Sequence, residues 1–329
     1  MSGVSILAGR SGRTGSHWPG FLLRRAVTLV AALWATCTFV FFMTALNSAD
    51  AVRAAAGIAA TPEYVAAQRH ALGLDDPLVV QYGRFLAHAV RLDFGPTLST
   101  GQPVTEVIGQ RFPHTLVLGL TCFLIVAVAG LSLGMAVAVR AASKPHSRLN
   151  AAFNGFSGLL TVVPDYLVAV ALILVFAVGL RALPAAGGDG VQAYVMPVAT
   201  VSVSLTAVFA RVVKSETTRV LREEYIRCAR ANRIPQWRLL LGHVLPNVVT
   251  ATLTYAGIML AGLMGGMLIT ETVFGFPGVG SLLVQAITLH DRNLMVGIVL
   301  LIASIALTVN VVVDVLIAAL DPKSVIARS

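Results

Sequence analysis

The chain has 329 residues, of which 57% are hydrophobic and only 12% are charged, and its mean hydropathy is +0.82. In soluble proteins about a quarter of all residues are charged, so this composition excludes a soluble globular class and indicates a lipid bilayer as the solvent. The formal net charge of +9 does not indicate nucleic acid, because the basic residues lie mostly at the ends of apolar runs, as membrane anchors do.

The first predicted element is a membrane helix over residues 26–46, which follows an N-terminal segment, 1–25. Arg24 and Arg25 before an apolar run resemble the start of a signal peptide. The run is about 20 residues long, enough to cross about 30 Å of hydrocarbon and too long for a typical signal-peptide core. No small-x-small cleavage site clearly ends it, so we predict an uncleaved first span.

A long polar loop, 47–114, follows this span. It contains one predicted helix, which begins at Thr61 with Pro62 in the first helical position and Glu63 in the first turn. Gly73 is its predicted end.

Five further apolar segments complete the chain, followed by a tail, 321–329. Each is near or above the length that a membrane helix needs, and none shows the alternation of barrel strands. The sequence therefore predicts an all-α polytopic membrane protein with six transmembrane helices, five of them in a core over residues 115–320. These five segments are 115–139, 151–178, 194–214, 248–271 and 293–319.

Lysine and arginine residues near the helix ends predict the orientation. The short loops on one side offer only Arg181 and Arg292, whereas the other side is rich in basic residues, so the positive-inside rule places the basic side in the cytoplasm. Both termini are then cytoplasmic and the loop 47–114 is extracytoplasmic. The basic side holds Arg10, Arg13, Arg24, Arg25, Arg140, Lys144, Arg148, Arg211, Lys214, Arg219, Arg222, Arg227, Arg230, Arg233, Arg238, Lys323 and Arg328.

Two carboxylates in the spans are candidates for the translocation pathway, because membrane carboxylates usually face protein or water. Asp165 follows Pro164 in the third span, and the alternative is a solvated position at a helix kinked by that proline. Glu271 lies at the outer end of the fifth span, where a capping or loop-ordering role competes with solute contact.

A block of arginines over residues 215–247 separates the fourth and fifth spans. Glu216 to Asn232 is predicted as one helix, and Pro235 starts a second, short helix that Pro246 and Asn247 end. The first helix has a charged face of Arg219, Glu223, Arg227 and Arg230 and a less polar face of Leu221, Tyr225 and Cys228.

Apolar residues lie among these arginines, namely Ile234, Trp237, Leu240 and Leu241. A basic loop that only fixes topology needs just a few charges and does not explain them. Apolar side chains among arginines suit a groove in a partner protein, so the block is predicted to dock against a soluble partner.

At these residues the chain resembles the permease subunits of bacterial ABC importers, in the dipeptide, oligopeptide and nickel branch. Such permeases share a motif of the form E-A-A-x-x-x-G, followed nine residues later by I-x-L-P, and the first part in this branch typically reads R-T-A-R-A-K-G. Here residues 227–233 read R-C-A-R-A-N-R and residues 243–246 read H-V-L-P. Arg233 occupies the glycine position, where positive φ is favoured, and Asn232, which tolerates that geometry, is the alternative residue for the bend.

The resemblance covers most of the chain, because further motifs follow in the family's order. They are F-L-L-R-R at 21–25, L-G-L-D-D-P at 72–77, L-D-F-G at 92–95, R-F-P-H-T-L at 111–116, E-T-V-F-G-F-P-G-V-G at 271–280, V-D at 313–314 and L-D-P at 320–322.

The resemblance implies a type I ABC importer permease fold in the bacterial cell membrane. The implied partners are a second homologous permease subunit, two cytoplasmic ABC ATPase subunits and an extracytoplasmic solute-binding protein. ATP and Mg are used by the ATPase subunits, and this chain, which lacks GxxxxGK[ST], is expected to bind no cofactor. The residues implied in ATPase coupling are Glu224, Arg227, Cys228, Ala229, Arg230, Ala231, Asn232, Arg233, Ile234, Trp237, His243, Leu245 and Pro246.

Peptides are the first expected solute, and nickel or a metal chelate is the alternative. The histidines on the predicted outer side, His70, His88, His114 and His290, show no ligand-like spacing. Inverted repeats would indicate a secondary transporter, and none is evident in the sequence. A membrane enzyme needs convergent catalytic groups, and only isolated carboxylates occur.

Overall fold

The computed structural model describes residues 18–46, 61–71, 75–143, 148–187 and 190–320. Predictions on residues 1–17, Gly73 and the tail 321–329 lie outside the described residues. The described helices are α1 (Trp18–Leu46), α2 (Pro62–Ala71), α3 (Leu78–Val90), α4 (Val104–Ser143), α5 (Arg148–Val162), α6 (Asp165–Leu172), α7 (Gln192–Val220), α8 (Glu224–Ala231), α9 (Gln236–Leu239), α10 (Leu245–Gly266), α11 (Leu268–Val273), α12 (Val279–Thr288) and α13 (Arg292–Leu320).

The all-α membrane fold is confirmed, and the third span is sharply bent. By length and composition, five described helices or helix runs can cross a membrane. The helix pair 148–162 and 165–179 makes a sixth span when it is counted as one, although its halves meet at 96°. The bend falls at Pro164, whose ring removes a backbone donor and disfavours helical geometry in the residue before it. A π-helical segment, Ile173–Gly179, continues α6.

Two helices extend beyond the apolar segments that predict them. Helix α1 begins at Trp18 rather than at residue 26, and α4 begins at Val104, inside the predicted loop 47–114. The first turns of α4 are helical because they have their own core contacts, since Val104 and Ile108 are buried against α12 and α13. The predicted helix start at Pro62, with Glu63 in the first turn, is confirmed.

Helices α4 and α7 form the centre of the bundle, and two glycines allow their close approach. A Cβ atom on Gly134 would lie 2.6 Å from the Ala210 carbonyl oxygen and 2.7 Å from the Val213 Cβ atom. A Cβ atom on Gly130 would lie 2.7 Å from the Phe209 ring. Gly130 and Gly134 are thus a small-xxx-small pair, which in a membrane brings helix backbones into van der Waals contact.

The remaining long helices pack around this centre. Helix α13 lies against α10 and α1, and an ion pair between Arg25 and Asp314 joins α1 to α13. Near the other end of α1, the Thr38 hydroxyl and the Tyr82 hydroxyl lie 2.7 Å apart, which ties α3 to the bundle. Helix α12 directly precedes the start of α13, whereas Asp314 lies near the end of α13, so α12 and Asp314 lie at opposite ends of the bundle. Because α10 and α11 lead from α9 to α12, α8 and α9 lie at the end that carries Arg25 and Asp314.

Candidate functional site

The arginine block folds into two short helices, which we call the α8–α9 knob (residues 224–244). The single helix predicted from Glu216 to Asn232 is wrong, because the chain leaves helical geometry at Glu223 (φ −64°, ψ 149°), where α7 has ended and α8 begins. The predicted charged face is divided by this break. Arg219 contacts Glu216 at 2.9 Å and Glu223 at 3.9 Å, and the Arg227 guanidinium donates to the Arg222 carbonyl oxygen at 3.3 Å.

The turn after α8 is built on Arg233, not on Asn232. Asn232 has φ −76° and ψ 9°, whereas Arg233 has φ 56°, in the left-handed region. The Arg233 N–H donates to the Arg230 carbonyl at 2.9 Å, and the Ile234 N–H donates to the Ala229 carbonyl at 3.3 Å. This pairing is a Schellman motif, in which a glycine normally supplies the positive φ. The prediction that Asn232 takes the bend is therefore wrong, and the arginine itself adopts the strained geometry.

Replacing Arg233 with glycine is expected to stabilise the turn by about 1 kcal/mol, because left-handed geometry is costly for a residue with a Cβ atom. Hydrogen exchange measured by mass spectrometry on the purified chain should become slower at the Arg233 and Ile234 amides. Arg233→Ala is the control, because it removes the same charge and keeps the Cβ atom. Equal exchange in the glycine and alanine variants would contradict a strained turn.

The second helix runs without interruption into the fifth span. Pro235 is the N-cap of α9, directly before the first turn in which it is predicted, and a π-helical segment, Leu240–Val244, joins α9 to α10. The predicted end of the helix at Pro246 and Asn247 is wrong, because the wider π turn accommodates the proline, which has no N–H and whose ring crowds a normal α-turn. The Asn247 side-chain amide donates to the His243 carbonyl oxygen at 2.7 Å.

One side of the α8–α9 knob is anchored in the main core of the bundle. Ile226, Ala229, Leu239 and Val244 are buried and belong to the same apolar cluster as the α4–α7 centre. The predicted apolar face of the first helix is thus wrong in part, because Tyr225 and Cys228 are exposed. Buried anchors on both helices mean that the knob is packed against the bundle and does not stand free of it.

The other side of the knob is a basic surface with large apolar side chains. The side chain of Trp237 is 60% exposed and that of Leu241 is 57% exposed, and the Arg238 guanidinium lies 5.0 Å from the centre of the Trp237 ring. Partial desolvation and the nearby charge of Glu223 raise the pKa of the Tyr225 phenol. Other exposed residues of the implied coupling set are Glu224, Arg227, Cys228, Arg230, Ala231, Asn232, Arg233, His243 and Pro246, whereas Ile234 and Leu245 are half-buried.

The two candidate pathway carboxylates have different surroundings. Asp165 is exposed in the first turn of α6, directly after the bend at Pro164. Glu271 is fully buried, and its carboxyl oxygens accept hydrogen bonds from the Thr115 hydroxyl at 2.7 Å and from the Gly280 and Ser281 N–H groups at 2.7 and 3.1 Å. A role for either residue in the pathway stays a prediction.

Glu271 caps the start of α12, and its buried carboxyl group leaves no room for a Cβ atom at Gly278 or Gly280. The N–H groups that it accepts belong to the first turn of α12, and a Cβ atom on Gly278 would lie 2.3 Å from the Glu271 carboxyl carbon. The Thr115 hydroxyl completes the arrangement by accepting the Val279 N–H at 2.8 Å. This cluster of Glu271, Thr115 and the start of α12 is called the α12 latch.

A second buried carboxylate belongs to Asp291, which no motif in the sequence singles out. One of its oxygens accepts the Leu98 and Ser99 N–H groups at 2.8 and 3.3 Å, and the other accepts the Leu294 N–H at 3.2 Å. Asp291 thus caps α13 and fastens the loop before α4 to it. An aspartate directly before a long apolar run is a helix-start signal that points to the first of these roles.

A bundle of helices long and apolar enough to span a membrane, with a basic, partly apolar helical projection at one end, defines a multi-pass membrane protein. The chain belongs to the binding-protein-dependent transport system inner membrane component family, whose sequence profile matches residues 107–325. The N-terminal profile of such membrane components matches residues 19–119. The chain is therefore a permease subunit of an ABC importer in the bacterial plasma membrane, as the resemblance predicts.

Several curated proteins are similar to this chain over nearly its whole length. The glutathione transport system permease protein GsiC of Salmonella paratyphi A is 34% identical over 303 residues, which are 92% of this chain and 97% of the relative. GsiC of Escherichia coli K12 is 32% identical with the same coverage. The probable peptide ABC transporter permease protein y4tP of Sinorhizobium fredii is 32% identical over 311 residues, or 92% of this chain and 98% of the relative.

Proposed function

We propose that this chain forms half of the translocation pathway for peptides that an extracytoplasmic binding protein delivers. The other half belongs to a second, homologous permease subunit, and two cytoplasmic ABC ATPase subunits supply the energy with ATP and Mg. The names of the similar permeases support a peptide or peptide-like solute, since they include glutathione and peptide systems. The nickel or metal-chelate alternative is not favoured by these relatives.

The α8–α9 knob is the part of the chain that meets an ATPase. The observation that carries this role is the pairing of a buried anchor, Ile226, with an exposed Trp237 among arginines. Tryptophan and arginine are among the residues that contribute most binding energy at protein interfaces, so an ATPase groove that buries Trp237 binds the knob tightly. Because α9 continues into α10, movement of the ATPase then tilts a membrane helix.

The orientation follows from this role and from the positive-inside rule. The bundle end that carries the knob also carries Arg25, Arg140 and Lys214, so we assign it to the cytoplasm together with both termini. The α12 latch and the helices of the loop 47–114 then lie at the outer face, where the binding protein delivers the solute.

Reconstituted transport tests the proposed function. The chain is purified with the subunits that accompany it, placed in liposomes, and supplied with its binding protein and radiolabelled glutathione, a dipeptide or nickel. We expect uptake of a peptide that requires both ATP and the binding protein. Uptake that continues without ATP would instead indicate a secondary transporter, and uptake of nickel without peptide would overturn the assigned solute.

A further inference from the structure

A basic cleft opens beside the cytoplasmic half of α7, separate from the exposed face of the α8–α9 knob. It has a volume of about 650 Å³ and lies between α7, the end of α5 that faces it and the turn before α8. Four of its lining residues are cations and only one is a carboxylate. The lining residues are Asn154, Arg211, Lys214, Ser215, Thr218, Arg219, Arg222 and Glu223.

Two of the four cations are held by protein partners. The Lys214 ammonium donates to the Asn150 and Asn154 side-chain oxygens at 2.6 and 2.7 Å and lies 5.1 Å from the centre of the Phe153 ring. Arg219 pairs with acidic side chains of α7 and of the turn before α8. These contacts fix Lys214 at the wall of the cleft, with one ammonium proton left for a further acceptor.

The other two cations have no such partner. Within residues 18–46, 61–71, 75–143, 148–187 and 190–320, no side chain accepts a hydrogen bond from the guanidinium of Arg211 or Arg222. Two unpaired guanidinium groups beside a fixed ammonium form a site for an oxyanion, because guanidinium offers paired donors that match phosphate oxygens.

The surroundings of the cleft favour a phosphate that carries acyl chains. The cleft lies beside α5 and α7, two helices that belong to candidate membrane spans, and the Phe153 ring beside the Lys214 ammonium gives its wall an apolar part. Basic pockets beside membrane helices at the cytoplasmic interface are suited to anionic lipid headgroups.

We propose that the cleft binds the phosphate of an anionic phospholipid in the cytoplasmic leaflet. Arg211 and Arg222 grip the headgroup, Lys214 completes the site, and the acyl chains lie along α5. The inference uses the same orientation as the proposed function but does not depend on the solute or on ATP coupling. A bound lipid at this position fastens α5, which has few buried side chains of its own, to α7.

Native mass spectrometry of the detergent-purified full chain tests the site. The probes are phosphatidylglycerol, phosphatidylcholine of the same chain length, and inorganic phosphate. We expect a retained phosphatidylglycerol in the wild type and binding on the order of thirtyfold weaker in Arg211→Gln with Arg222→Gln, since two interfacial cations are lost. Both arginines are exposed, and Arg211→Lys with Arg222→Lys keeps the charge and should keep most of the binding.

Arg140→Gln is the matched control, because Arg140 is an exposed arginine at the same end of the bundle that does not line the cleft. Phosphatidylglycerol binding that survives the double glutamine change, or that falls equally in the control, would overturn the site. Displacement of the lipid by equimolar inorganic phosphate would assign the cleft to a soluble anion instead. Loss of the lipid when the chain is purified with its partner subunits would assign it to a protein interface. ATP-driven uptake, measured separately, reports on the proposed function alone.

Discussion

Replacing Arg230 with glutamine and Trp237 with alanine in the same chain is expected to reduce ATP-driven uptake by at least about tenfold. Both side chains are exposed on the α8–α9 knob, so their removal costs no core packing. Truncation of a tryptophan or arginine at the centre of an interface commonly costs 2 kcal/mol or more, which is about a thirtyfold loss of affinity for each site. The measurement is uptake by reconstituted complexes, with ATP hydrolysis followed in parallel.

The expected pattern separates coupling from folding. ATP hydrolysis should continue, or lose its dependence on the binding protein, while uptake falls. Cys228 is exposed on the same knob and serves as a reporter of insertion, since a membrane-impermeant thiol reagent should label it equally in wild-type and variant inverted vesicles that lack the ATPase subunits. Trp34→Ala with Arg140→Gln makes the same chemical changes at exposed positions elsewhere and should leave uptake near the wild-type rate. Normal uptake by the knob variant would contradict the docking role.

The apolar segments of the sequence predicted the spans well, because burial in lipid imposes length and composition on a helix. Local start signals were equally informative, as at Pro62, which occupies the first helical position, and at Pro235, which lies directly before α9. Such signals act within a few residues of the element that they start, so the sequence alone is sufficient to place them.

The wrong predictions about the α8–α9 knob have a common origin. Pro246 is a helix breaker by its own chemistry, yet the preceding π turn, Leu240–Val244, accommodates it. Arg233 is a poor residue for a left-handed turn, yet it adopts that geometry because Ile226 and Leu239 on either side are fixed in the core. In both places tertiary packing overrides the preference of the residue, and the preference was all that the sequence displayed.

The bonding partners of the two buried carboxylates escaped prediction for a different reason, although capping was one of the two roles expected of Glu271. Asp291 bonds Ser99 and Leu98, which are 192 and 193 positions away in the chain, and Glu271 bonds Thr115 across 156 positions. Helical periodicity carries no information about contacts at such separations. Only the glycines at positions 278 and 280 gave an indirect sign, because they leave room for the carboxyl group.

Replacing Glu271 with alanine is expected to destabilise the chain by about 3 kcal/mol, the second large effect. The substitution leaves the Thr115 hydroxyl and the Gly280 and Ser281 N–H groups buried without their acceptor, and a buried donor left unpaired costs about 1–3 kcal/mol. Glu271→Gln keeps one acceptor oxygen and should cost less. The measurement is the thermal midpoint of the purified chain in detergent, with Glu106→Ala as the control at an exposed glutamate of α4.

Two changes at Thr115 distinguish a hydrogen-bonded latch from simple space filling. Thr115→Ser keeps the hydroxyl that donates to Glu271 and accepts the Val279 N–H, so its thermal midpoint should stay close to the wild type. Thr115→Val has nearly the volume of threonine but no hydroxyl, and its midpoint should fall by several degrees. If serine proved the more harmful of the two, packing rather than hydrogen bonding would hold α12 in place. Because α12 follows directly from the helix run that begins in the α8–α9 knob, a loosened latch should also lower ATP-driven uptake while the knob itself is unchanged.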